Sequence, residues 1–326
     1  MQFGSNTLGG YLAAPEKLLK RFLNASTTVQ RYRQFVNTDF QPGLNNGGTF
    51  TWVVNGKLGI APILAEGSTV PSADFGMIKG SLTVNEEGQA VKYTKRLATL
   101  GELDARNIID NVLAKNAGET LDFRAHAAYA TTPLKIGAVG GNDPLNIVIA
   151  NNGVAPTTNA VALSKSHLRQ IILALKERNV PTLDDKYYGI ARPATWEPIK
   201  IALEDVHKFT PAGFDKIVKG AVAEYDGLIL IEQTNVKSQG WTSGLSDEAF
   251  FIGDEGVMEG VVISEELREK IPDDYGRGMG VMWYAMLGFG LMQPVDNFGA
   301  TGVNAATGGP NDDGKRATVF HWTSVA

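Results

Sequence analysis

"GKLGIAPILAEGSTVPSADFGMIKGSLTVNEEGQAVKYT", residues 56–94, decides the fold. Two strand-like runs flank a tip rich in proline, glycine and serine, which predicts an extended two-stranded ribbon over Trp52–Lys95. An isolated ribbon of two strands is marginal in water, because it pairs few backbone groups and buries little on one face. A ribbon of this length is therefore expected to be held by other structure. Val53, Ile60, Ile63, Leu64, Phe75, Ile78, Leu82 and Val84 supply the apolar surface that a partner would cover. The alternative is a ribbon that folds back on its own domain.

The rest of the chain is compatible with a large folded body. It has 326 residues, of which 43% are apolar and 20% charged, so disorder is excluded as its main state. Its 37 glycines favour turn-rich β structure over a helical bundle. No apolar run approaches the roughly 20 residues of a membrane-spanning helix, so the chain is expected to be soluble and to have no membrane partner. The N-terminal stretch lacks the basic start and apolar run of a secretory signal, and cysteine is absent, so thiol nucleophiles, thiolate metal sites and disulfides are excluded together. A cytoplasmic setting fits both features. The formal charge of −5 argues against nucleic-acid affinity from global electrostatics. Charge is nonetheless uneven: residues 1–40 are basic through Lys17, Lys20, Arg21, Arg31 and Arg33, whereas residues 246–274 are strongly acidic. Opposite fields on separate parts of one chain suit self-association, and equally suit the solvated faces of a monomer.

Beyond the ribbon the period turns helical. Ala105, Ile108, Ile109, Val112, Ala117 and Leu121 share one face from Leu100 to Ala128, with Arg106, Asp110, Lys115, Glu119 and Asp122 elsewhere, which predicts one long helix. Gly118 inside it costs about 1 kcal/mol relative to alanine, so packing has to hold that position. A joint is expected near Leu97–Gly101. Leu168, Ile171, Ile172 and Leu175 mark a second helix capped by Ser164 and stopped before Pro181. "DKYYGIARPATWEPIKIALED" then reads as a buried strand, a turn at Pro193 and a helix from about Trp196, with Pro198 in its first turn. "DGLILIEQTNV", "AFFIGDEGV" and "ATVFHWTSVA" read as strands.

No reaction centre emerges. "GPNDDGKR" at 309–316 has the spacing of a phosphate loop, but Arg316 replaces the hydroxyl residue, Asp312 and Asp313 repel phosphate, and no apolar helix follows. "GRGMG" at 276–280 lacks the strand and helix of a dinucleotide fingerprint. His126, His167, His207 and His321 are scattered without metal-ligand spacing and read as helix-face or strand residues. No GxSxG elbow occurs. The pairs Asp184–Asp185 and Glu265–Glu266 are adjacent, so their side chains diverge. The five tryptophans are spread along the chain rather than grouped with cations, which favours packing over base stacking. No catalytic residue, cofactor or metal is expected, and no enzymatic activity.

The order of parts resembles the major capsid protein of tailed bacteriophages, an α+β chain with the HK97-like capsid fold. "LAEGSTVPSADFGMIKGSLTVNEEGQAVKYTK" is similar to that family's extended loop and "LGELDARNIIDNVLAKNAGETLDFRAHAAYA" to its spine helix. "LSKSHLRQIILALKERNVPTLDDKYYGIARPATWEPIKIALED" looks like the start of the axial domain, and "GRGMGVMWYAMLGFGLMQ" like the strand returning to the peripheral domain. The loop and "YYGIARPATW" resemble the short-tailed, N4-like branch. The resemblance implies an N-terminal arm (1–50), an extended β-hairpin loop (51–96), a peripheral domain with a spine helix near 100–128 (97–159), a mixed α/β axial domain (160–280), and a return to the peripheral domain with a C-terminal strand (281–326). It implies self-assembly into hexamers and pentamers around double-stranded DNA, in a virion assembled in the bacterial cytoplasm, with a separate scaffolding protein, a portal and a decoration protein as further partners. Ile60, Ile63, Leu64, Phe75 and Ile78 are then candidate contacts across the adjacent subunit. Lys17, Arg21, Phe22, Arg31 and Arg33 of the arm are candidates to meet the acidic underside of a neighbour at Glu102, Asp104 and Asp110. Competing readings are an encapsulin-like nanocompartment shell and a monomeric α/β enzyme whose lid is residues 56–94.

Overall fold

A computed structural model describes residues 30–40, 48–56, 58, 60–72, 74–101, 104–156, 159–207, 224–235, 247–272, 274–296 and 316–324. The strands, in chain order, are β1 (Val36–Phe40), β2 (Thr49–Asn55), β3 (Met77–Thr83), β4 (Asn85–Thr94), β5 (Leu134–Ala138), β6 (Ile147–Ala150), β7 (Tyr187–Ala191), β8 (Glu224–Tyr225), β9 (Leu228–Glu232), β10 (Asp247–Ile252), β11 (Val257–Glu269), β12 (Gly278–Leu291) and β13 (Val319–Ser324). The described helices are α1 (Lys95–Leu100), α2 (Ala105–Ala130), α3 (Lys165–Glu177) and α4 (Pro193–His207). None of them is long and apolar enough to cross a membrane.

The strands form three sheets: β1-β11-β12-β4, then β6-β5-β13-β10-β7-β9-β8, and the two-stranded β2-β3. α2 lies across the four-stranded sheet. Its 26 residues span about 39 Å at 1.5 Å per residue. It begins where the Asp104 carboxylate accepts the amides of Arg106 and Asn107, and it buries Ala105, Ile109, Leu113, Ala117 and Leu121 against Tyr93, Val281, Trp283, Ala285 and Leu287. Trp283 Nε1 donates to Asn116 Oδ1 at 2.9 Å across this face. The expected packing at Gly118 comes from the Gln30 side chain, which would stand 2.2 Å from a β-carbon there. The seven-stranded sheet packs against α3 and α4 through Leu168, Ile171, Ile172, Leu175, Trp196 and Ile199. Ser164 caps α3 as predicted. The reciprocal bond of its capping box comes from the His167 ring, which also meets the Asp143 carbonyl at 2.9 Å.

Several expectations are corrected. The long helix is single but starts later than expected, at Ala105 rather than near Leu100, because Gly101 leaves the helical conformation (ψ 137°) at the end of the separate short helix α1. Val112 is half-exposed, whereas Leu113 and Asp122 are buried. α4 starts at Pro193, so Pro198 falls in its second turn and removes the bond its amide would make to Ala194. Residues 85–94 are no part of a projecting ribbon: β4 pairs with β12 along its whole length, from Gly278↔Thr94 to Leu287↔Asn85, because Tyr93 belongs to the core under α2. The sheets also divide the chain differently from the expected boundaries. β5, β6 and β13 lie in the same sheet as β7–β10, with β13 between β5 and β10, while β11 pairs with β12 in the other sheet. Thus neither 134–150 nor the C-terminal strand accompanies the sheet under α2.

Candidate assembly surface

The ribbon is anchored at its root and free at its tip. Phe50 and Leu82 sit opposite one another in the β2–β3 register and are each 4% exposed. They rest on a floor of three glycines, Gly260 of β11 and Gly288 and Gly290 of β12, the first two being directly paired. A β-carbon at Gly260 would stand 2.9 Å from the Phe50 ring, one at Gly290 2.8 Å from Leu82 Cβ, and one at Gly288 2.2 Å from the Thr83 carbonyl oxygen. Trp52 lies over Gly80 and donates from Nε1 to the Met292 carbonyl at 2.8 Å. Leu82 therefore covers its own subunit rather than another. Beyond Asn55 and Met77 the chain rises off this floor, closed by the Gly56 amide to the Gly76 carbonyl at 2.7 Å and turning at Ala65–Ser68 with Gly67 at φ 81°. There Ile60 is 84% and Ile63 fully exposed, and Leu58, Leu64, Val70 and Phe75 are also uncovered. Ile78 is half-buried in β3 opposite Val54.

The charged candidates among the described residues are engaged within the chain. Arg33 forks onto Glu259 at 2.8 Å and Glu265 at 2.6 Å, both on β11. Its burial is outweighed by these hydrogen bonds, which raise its already high pKa further, and the Glu265 carboxyl is correspondingly lowered. Arg31 donates to Gln34. Asp104 caps α2, and Asp110 takes Arg106 at 2.8 Å, whose other arm reaches Glu269 at 2.5 Å. Lys17, Arg21, Phe22 and Glu102 lie outside the described residues, as does nearly all of "GPNDDGKR". "GRGMG" forms the turn into β12, with Gly276 at φ 83°. Among the described residues no three acidic or histidine side chains are placed to hold a metal ion.

No profile of a known protein family matches the chain, and no curated protein matches it by sequence. Solved structures do match, along almost the whole length. The head structure of Helicobacter pylori bacteriophage KHP40 aligns at TM-score 0.65 over 99% of this chain and 98% of its own, with 12% identity. The capsid of cyanophage P-SCSP1u aligns at 0.64 over 95% and 92%, with 10% identity. The capsid of Ralstonia phage GP4 aligns at 0.60 over 100% and 98%, with 12% identity. The chain has the HK97-like capsid fold. These matches do not single out the N4-like branch.

Within the capsid fold, the ionisable residues that sequence reasoning missed are buried between α2 and the seven-stranded sheet. His126 of α2, Glu248 of β10, His321 of β13 and Lys135 of β5 form a continuous chain. His126 Nε2 meets Glu248 Oε2 at 3.0 Å, Glu248 Oε1 meets His321 Nε2 at 2.7 Å, and His321 Nδ1 meets Lys135 Nζ at 2.8 Å. Lys135 also donates to the Ala130 carbonyl at the end of α2. Burial alone would raise the Glu248 carboxyl, but the hydrogen bonds of both histidines outweigh it and hold its pKa at about 2. Burial pushes the His321 imidazole and the Lys135 ammonium down, against the attraction of Glu248. One turn earlier on α2, Asp122 accepts from the Arg33 amide at 3.1 Å, Gln233 at 2.7 Å and Asn235 at 3.1 Å. Its carboxyl is nevertheless raised, burial being the larger effect. The partners of this cluster are 73 to 186 residues apart in sequence, so no local spacing could announce them.

Proposed function

We propose that this chain is a major capsid protein, assembling with copies of itself into the hexamers and pentamers of an icosahedral shell around double-stranded DNA. The observation that carries the reading is the ribbon tip: a soluble body of this fold exposes Ile60, Ile63, Leu64, Val70 and Phe75 on a projection that nothing among the described residues covers. Each such side chain contributes about 1.5–3 kcal/mol on full burial, before the costs of association. A patch of this kind on a projection marks an interaction site. Each subunit both gives and receives a ribbon, which is a heterologous contact, and heterologous contacts close into rings.

Arg33, Asp104 and Asp110, being engaged within the chain, hold the subunit that the ribbon extends from. The candidate contacts between subunits are therefore the apolar ones, Ile60, Ile63, Leu64 and Phe75, ahead of Ile78, with Lys17, Arg21, Phe22, Arg31 and Glu102 as further candidates. A net charge of −5 suits a container that DNA is pumped into, since strong attraction to the wall would hinder movement during filling. A scaffolding protein, a portal and a decoration protein are the further partners of this reading.

Electron microscopy of the purified chain, with absorbance at 260 nm on the same fraction, tests it. Closed particles, rings or sheets that disappear in Ile63→Asp, while the variant's Tm stays unchanged, support the shell. Particles that persist in that variant overturn the ribbon contact, protein cargo in place of nucleic acid favours a nanocompartment, and single subunits that stay single when a scaffolding protein is added overturn assembly itself.

A further inference from the structure

The buried chain His126–Glu248–His321–Lys135 plays no part in the ribbon, and its hydrogens can be placed by elimination. Lys135 can only donate, so His321 Nδ1 accepts and the single ring hydrogen lies on Nε2, aimed at Glu248. His126 likewise donates from Nε2, which leaves its buried Nδ1 with no hydrogen-bond partner. With both imidazoles neutral, Lys135 and Glu248 cancel. An added proton has no good place: on His321 Nδ1 it faces an ammonium at 2.8 Å, donor against donor, and on His126 Nδ1 it is a buried donor without an acceptor.

What rests on this cluster is the start of the described chain. Tyr32 is fully buried, edge-on to His126 with ring centroids 5.1 Å apart and to Phe250 at 5.7 Å. His321 stacks on the other side of Phe250 at 4.5 Å. The charged and titratable groups around this site are Asp122 and Tyr129 of α2, Glu248 of β10, His321 of β13 and Lys135 of β5, together with Tyr32 itself. Asp122 holds the Arg33 amide, and the Tyr129 hydroxyl donates to the Phe35 carbonyl at 2.8 Å. Arg33 is tied separately to Glu259 and Glu265, an attachment that survives until the carboxylates protonate.

We propose that this cluster is an acid-sensitive latch, in which protonation of His321 loosens Tyr32–Val36 from α2 while both large sheets stay folded. The direction follows from linkage. The folded state holds His321 neutral below its ordinary range, so its contribution is complete above about pH 6.5 and is lost as pH falls through that value. Glu248 gives way only between its ordinary value of 4.5 and about 2. Above pH 4.5 Glu248 therefore stays ionised and is not the group that titrates.

Hydrogen exchange of the full-length chain at pH 7.5 and 5.0, corrected for intrinsic rates, reads the latch. Protection over residues 32–36 is expected to fall about tenfold at pH 5.0, the scale of one lost hydrogen bond to a charged group, with β10 and β13 unchanged. The double variant His126→Gln, His321→Gln keeps a donor for each Glu248 oxygen and cannot titrate, so it should show less than a threefold change. In Lys135→Met the sign should reverse, because an added proton on His321 then restores the charge balance beside Glu248. Unchanged wild-type protection at 32–36, or an equal loss throughout the chain, overturns the proposal whatever the variants do.

Discussion

Replacing Gly288 with alanine tests the anchoring of the ribbon root directly. The new β-carbon would stand 2.2 Å from the Thr83 carbonyl oxygen and 3.0 Å from its carbon, against about 3.4 Å for ordinary contact. The obstacle is backbone, not the end of a flexible side chain, so β3 has to lift by about 1.2 Å at this point. Lifting it unseats Leu82 and Phe50, which are buried only because the glycine floor lets them approach. Overpacking of this kind costs about 1–3 kcal/mol, which for a chain of 326 residues at about 2.1 cal/mol/K per residue corresponds to roughly 1.5–4.5 °C in Tm. The matched control is Gly280→Ala on the same strand, whose β-carbon meets Lys270 at 3.4 Å and the Val91 carbonyl at 3.5 Å, and which should stay within about 0.5 kcal/mol. Calorimetry of both variants, with hydrogen exchange over 49–55 and 77–83, gives the comparison. Equal Tm for Gly288→Ala and Gly280→Ala, with the ribbon strands as protected as in the wild type, would refute the anchoring argument.

Asp296→Ala should cost about 3–5 kcal/mol in chemical denaturation, because Arg178, 5% exposed and bonded to Asp296 at 2.6 Å, would keep its charge in the interior. The Ala317 amide loses its acceptor in the same step. Ser164→Ala removes the hydroxyl that caps α3 and should cost about 1 kcal/mol, read as a lower urea midpoint at unchanged m-value. Below pH 4.5, wild-type stability should fall progressively as pH approaches 2, because the folded Glu248 carboxyl is held at about 2 and the unfolded chain binds its proton first. Glu248→Gln should be less stable at neutral pH but flatter across that acid window, and an equally steep fall would show that Glu248 is not the group responsible.

What could be read from the sequence was what is written in local periodicity. The ribbon's tip, most of the face of α2 and the cap of α3 rest on neighbours within a few positions, and these are found, with Val112 and Asp122 the exceptions on α2. Asp122 was placed off the core face for the sound reason that a carboxylate belongs in water, but three donors from distant segments, the Arg33 amide and the side chains of Gln233 and Asn235, make burial tolerable. The glycines of β11 and β12 were visible as letters, yet their purpose lies in Phe50 and Leu82, some 200 residues earlier. β4 was read as ribbon because alternation announces a strand and not its partner. The arm cations looked free because the sequence shows charge without showing that Glu259 and Glu265 stand beside Arg33.

The position of β13 has a consequence for how the chain reaches this structure. Val319–Ser324 pairs in parallel with β5 on one side and antiparallel with β10 on the other, so among the described residues it is the strand that links β5–β6 to the remaining strands of the seven-stranded sheet. Until residue 324 has left the ribosome, the sheet exists as two fragments with open edges, and Phe320 and Trp322 are missing from the core. Such long-range closure is slow, and unpaired edges are exposed while it lasts. The ribbon strands, residues 49–83, are thus made well before the seven-stranded sheet can close on β13.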